Sequence, residues 1–151
     1  MQELRFQTDI NVDPELFWKR QSIATISQEM GPWLRMTAPP HYRQIQLQDW
    51  RGDNTLFASW VLLFGLIPID RHSFEKIVFP AEREFIETSS SWNNKHWQHR
   101  RLVTATENGC SVIDELIFTP RMHWMTPLVT MIVNMVFKNR HRNLKKFYPV
   151  R

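Results

Sequence analysis

A chain of 151 residues is the size of one domain and can bury a substantial core. Its net charge of +4 comes from one end: residues 138–151 hold Lys138, Arg140, Arg142, Lys145, Lys146 and Arg151 with no acid, so the remainder is slightly acidic. That distribution excludes a nucleic-acid-binding face, which needs basic residues along a groove, and the lone Cys110 excludes an intrachain disulfide and a cysteine-based zinc site.

The opening MQELRFQTDI has no cationic segment leading into an apolar run and does not read as a signal peptide. Leu4, Phe6, Thr8 and Ile10 alternate with polar residues, the period of a strand with one buried face. Asp13 and Pro14 then suit an N-cap and first helical position, giving a short helix to Arg20. Ser22 can cap a second helix through Ile23, Ile26 and Met30, which Gly31-Pro32 stops. After the break at Pro39-Pro40 the spacing predicts strands over Tyr42–Asp49 (weak), Thr55–Phe64, His72–Phe79, Arg83–Ser90, Lys95–Thr106 and Cys110–Thr119, a meander of hairpins. Thr126-Pro127 opens a helix expected to reach Phe147. Its first half is apolar and its second half cationic, which suits the negative end of the helix dipole and leaves an anionic ligand or membrane as the alternative use. The apolar stretches Trp60–Ile69 and Pro127–Phe137 are too short to span a membrane. A single cytoplasmic domain over 1–151 is expected.

In this order, "GLIP" at Gly65–Pro68, "FIETS" at Phe85–Ser89, "WQHRR" at Trp97–Arg101, "DELIFTPR" at Asp114–Arg121 and "FKNRHRNL" at Phe137–Leu144 make the chain resemble the START/SRPBCC superfamily. This is the helix-grip fold of the birch-pollen allergen and bacterial polyketide cyclases, and the likeness is to its short bacterial members. The resemblance implies an α+β architecture: a seven-stranded curved antiparallel sheet around the long C-terminal helix, with two short helices after the first strand. It also implies a cavity for a small hydrophobic or aromatic ligand, such as a lipid, quinone or polyketide, and no cofactor. Function varies widely on such folds.

Hairpin arithmetic predicts which residues face inward. A two-residue turn at Asn93-Asn94 sets Thr88 against His99 and Ile86 against Arg101, and one at Asn108-Gly109 sets Arg101 against Leu116. The more apolar surface then holds Trp97, His99, Arg101, Asp114, Leu116 and Phe118, expected to line the cavity with Leu128, Met131, Ile132 and Met135 of the helix. Arg101 and Asp114 become diagonal neighbours. Two readings of this cluster stand open: an internal ion pair that fixes register, or a polar cavity end that orients a ligand. In a cyclase or hydrolase His99 would be the general acid or base, with Arg101 or Asp114 positioning it. Glu87 and Arg100 are expected to pair on the outer face. His96 and His99 point to opposite sides of a strand and cannot share a metal. No glycine-rich phosphate loop or nucleophile elbow is present.

Overall fold

The computed structural model describes residues 1–43, 45–50 and 56–149. Gln44 and Thr55 of the expected strands and Arg151 of the basic end lie outside the described residues. Strand β1 (Gln2–Ile10) leads into α1 (Pro14–Lys19) and α2 (Ile23–Met30), then β2 (Leu34–Met36) and α3 (Pro40–Arg43). Five further strands follow: β3 (Phe57–Leu63), β4 (Ile67–Val78), β5 (Glu84–Ser91), β6 (Asn94–Thr106) and β7 (Gly109–Pro120). Helix α4 (Thr126–Phe147) completes the order. The strands form one antiparallel seven-stranded sheet in the order β1-β7-β6-β5-β4-β3-β2. A helix-grip fold results, with α4 laid mainly along β1 and α2.

Local chemistry accounts for the helix starts. Asp13 accepts the Leu16 amide (3.0 Å), and Pro14 occupies the first turn of α1. Ser22 and Thr25 form a reciprocal capping box on α2, Thr25 N donating to Ser22 Oγ and Ser22 N to Thr25 Oγ1. Two glycines are dictated by geometry. Phe64 and Gly65 both have positive φ (54° and 72°) in the β3–β4 turn, as a tight hairpin requires. A Cβ on Gly109 would sit 2.2 Å from the Ile10 carbonyl oxygen, so only glycine lets β7 start against the end of β1.

The expected second strand is displaced. Within the expected strand Tyr42 and Arg43 belong to α3 and Leu47–Asp49 form a 3-10 turn, and the strand is instead Leu34–Met36, paired with β3. Leu47 and Trp50 are buried, and Trp50 packs its ring against Tyr42, Phe57 and Phe74 on the inner face of β3 and β4. The segment that propensity assigns to the sheet therefore plugs its concave side.

Both hairpin registers also differ from expectation. In β5–β6, Phe85 faces Arg101, Glu87 faces His99 and Ser89 faces Trp97, one residue from the expected pairing. A one-residue slip exchanges the two faces of a strand. Phe85, Glu87 and Ser89 thus point inward where Ile86, Thr88 and Ser90 were expected. In β6–β7 the turn is Glu107-Asn108, with Thr106 opposite Gly109. The slip there is two residues, so the faces survive, and Arg101 comes directly opposite Asp114.

Candidate functional site

Sheet and helices meet in a buried polar network. Asp114 and Arg101 are both 0 % exposed. Arg101 donates Nε to Asp114 Oδ1 and Nη2 to Oδ2, both at 2.8 Å, a bidentate pair across β6 and β7. Its remaining donors reach α2 and the turn before it: Nη2 to Glu29 Oε1 (2.7 Å), Nη1 to Glu29 Oε2 (3.1 Å) and to Gln21 Oε1 (2.9 Å). Asp114 also accepts from His99 Nε2 and from His141 Nε2 of α4, each at 2.7 Å. Thr8 Oγ1 lies 2.7 Å from the other nitrogen of His141. On the far side His99 Nδ1 is 3.8 Å from Glu87 Oε2. Glu87 accepts from His72 Nε2 (2.6 Å) and from Ser89 Oγ.

Burial alone would raise the carboxyl pKa values here. The opposite happens because the partners outweigh it: the Arg101 guanidinium holds Asp114 well below the usual range, Arg101 with Arg140 lowers Glu29, and the contacts of His72 and His99 lower Glu87. Conversely, burial works against the Arg101 charge, but Asp114 and Glu29 hold the guanidinium protonated. The network joins α2, α4, β1 and the sheet, with its charges compensated on the spot.

The sequence-selected residues divide sharply. His99, Arg101 and Asp114 come together; Leu116 and Phe118 are buried beside them, and the Trp97 ring lies tilted against those of Phe118 and Phe137. Leu128, Met131, Ile132 and Met135 do not line this interior: all four are exposed on the outward face of α4. The inward face is Val129, Val133, Phe137, Arg140, His141 and Leu144. Because the first half of α4 is apolar all round, periodicity there could not choose a face. Among the described residues, Val129, Val133 and Phe137 pack against Leu116 and Phe118, and His141 bonds Asp114, under the helix where a cavity is expected from the sequence. The outer Glu87–Arg100 pair is also absent, since Arg100 bonds Glu84 (2.5 Å) and Glu115 (3.0 Å) while Glu87 is inside.

Glu29, Arg140 and His141 escaped the sequence reading, although a signal existed. Glu29 falls three residues after Ile26 and beside Met30, on the buried stripe of α2. Arg140 and His141 continue the stripe from Phe137 to Leu144. Charged residues at core spacing announce internal partners. Cys110 is fully buried, and burial, aided by Asp13, pushes its thiol up to about 11, so it is no thiolate nucleophile. Among the described residues no group of three or more His, Cys, Asp or Glu side chains is placed to hold a metal ion.

A concavity with room for a small molecule lies at the opposite edge of the sheet. An open recess of about 430 Å³ is lined by Ile23, Ala24 and Ser27 of α2, by Arg35 and Met36 of β2, and by Thr37, Ala38 and Arg43. Ser27 Oγ accepts the Met36 amide (3.2 Å) and donates to its carbonyl (3.1 Å), while Arg43 Nε donates to the Ala38 carbonyl (2.8 Å). The walls are therefore pinned to one another. Ile23 and Ala38 form a buried apolar base; Arg35 and Arg43 are exposed at the margin.

The seven-stranded sheet, the two short helices after β1 and the long C-terminal helix make a helix-grip fold of the START/SRPBCC type. Solved structures agree in fold. Protein CV1439 from Chromobacterium violaceum matches with a TM-score of 0.72 at 8 % identity, covering 100 % of both chains. A START superfamily protein from Mycobacterium smegmatis matches at 0.62 and 8 % identity, covering 97 % of this chain and 96 % of that one. Ara h 8.0201 matches at 0.56 and 10 % identity, covering 96 % and 98 %. The chain belongs to the family described as Domain of unknown function (DUF8410), which matches residues 8–148. No curated protein matches the sequence.

Proposed function

We propose that this protein binds a small molecule with an apolar body and an anionic group, seated in the recess between α2 and β2. The observation that carries the reading is the composition of that recess: about 430 Å³ of space over Ile23, Ala24, Met36 and Ala38, with two guanidinium groups at its margin. That volume falls within the range of small-molecule sites, and apolar walls with few polar groups are their usual chemistry. Arginine is suited to a carboxylate or phosphate because its planar donors engage two oxygens at once. START and birch-pollen-allergen-like folds commonly bind hydrophobic ligands, which supports the class of ligand. The buried network has a structural role in this account, since Arg101 and Asp114 spend their polar atoms on one another and on protein partners.

Fluorescence titration with a dansylated undecanoic acid tests the proposal. Saturable binding is expected, weakened on the order of tenfold by Arg43→Ala, the equivalent of one charge-assisted hydrogen bond. Equal binding by wild type, Arg35→Ala and Arg43→Ala would refute the assignment.

A further inference from the structure

One end of the molecule is apolar on its outside. Phe64 and Leu66 at the tip of the β3–β4 hairpin are exposed (57 % and 82 %), and the Trp33 ring lies 5.8 Å from that of Phe64. After β7 come Met122 and Trp124, the latter 76 % exposed. Hydrogen bonds hold these turns at the same end: Arg121 N donates to Asn93 O (2.9 Å), and Asn93 Nδ2 to Ile69 O (3.3 Å), next to the hairpin. Helix α4 starts here, and its outward stripe runs Leu128, Met131 and Met135, then Lys138, Arg142 and Lys145, at alternating three- and four-residue steps. Lys146 is exposed beside Lys145, and residues 116–151 contain no acid.

We propose that this end and the outward stripe of α4 together dock along an anionic lipid bilayer, with Trp124, the hairpin tip and the start of α4 entering the interface and the cationic half of α4 lying along the surface against lipid phosphates. Two features select this occupant. The apolar side chains stand on separate projections, which a fluid surface accommodates more readily than a rigid partner. The stripe passes directly from apolar to cationic residues, so apolar side chains and cations share one outward surface, a combination that suits acidic lipid. Tryptophan is the side chain that favours the headgroup level. Among the described residues no helix is long and apolar enough to cross a membrane, so the contact is peripheral. It is separate from the α2–β2 recess and stands or falls independently of ligand binding there.

Co-sedimentation of the full chain with phosphatidylcholine vesicles, with and without phosphatidylglycerol and at low and high salt, decides the matter. Binding is expected only with phosphatidylglycerol and is expected to weaken as salt rises. Lys145→Glu with Lys146→Glu, and separately Trp124→Ser with Leu66→Ser, should each weaken it on the order of tenfold. All four positions are exposed, and circular dichroism checks that the variants fold. Absence of sedimentation, equal binding to neutral vesicles, or insensitivity to both variants would overturn the proposal. A dimer in sedimentation velocity that Trp124→Ser dissolves would also overturn it, because a second copy would then cover the patch.

Discussion

The two faces of α4 put similar residue types to different uses. Inward, Phe137, Arg140, His141 and Leu144 are buried against α2, β1 and the sheet. Outward, Leu128, Met131, Ile132 and Met135 remain 42–61 % exposed. The inward face combines charge and apolar surface and packs against partners; the outward face shows apolar surface without them. Hydrophobicity alone therefore does not say which face of α4 is inside. The buried charges that α4 meets do.

That contrast can be broken by mutation, and the largest effect is expected at the network. Asp114→Ala leaves Arg101 buried with only part of its compensation, so urea unfolding should show a loss of about 3–5 kcal/mol. A smaller loss, near that of a surface pair, would mean that water enters the network. Leu144→Ala, on the buried stripe, should cost about 2–5 kcal/mol. Met135→Ala, on the outward stripe of the same helix, should stay within about 0.5 kcal/mol. Equal costs would erase the distinction between the faces.

Acid should act on the same centre. Asp114, Glu29 and Glu87 have folded pKa values lowered relative to the unfolded chain. Their contribution is fully present above the unfolded carboxylate pKa of about 4 and is lost as pH falls toward the lowered folded values. Unfolding free energy should thus be flat in this respect near neutrality and fall below about pH 5, with a slope of about 1.4 kcal/mol per pH unit for each proton taken up. Asp114→Asn should flatten that slope. A modest effect, larger only than that of Met135→Ala, is expected at the α2 cap, where Ser22→Ala should lower stability by about 1 kcal/mol.

Much of the frame was legible in the sequence, and the failures have distinct causes. The starts of α1, α2 and α4 are written in Asp13-Pro14, Ser22 and Thr126-Pro127, local signals that tertiary context did not overrule. Strand β2 is only three residues long, too short for alternation to mark it. The β5–β6 register failed because Asn93-Asn94 looks like a two-residue turn, whereas Asn94 opens β6 and pairs with Pro120. That one-residue difference carried Glu87 from surface to core. His99, Arg101 and Asp114 were correctly grouped because their mutual spacing depends on β6–β7 parity, which a two-residue slip preserves. The recess was not legible, since it joins α2 to a strand that alternation did not reveal.

Chemical-shift mapping of the backbone amides during titration with decanoate tests the ligand-binding account most directly. Saturable shifts centred on Ser27, Met36, Thr37 and Ala38, and lost in Ala24→Trp, are the expected result. Shifts centred on Leu128–Met135 or on the β3–β4 hairpin, or no saturable shift at all, would contradict it.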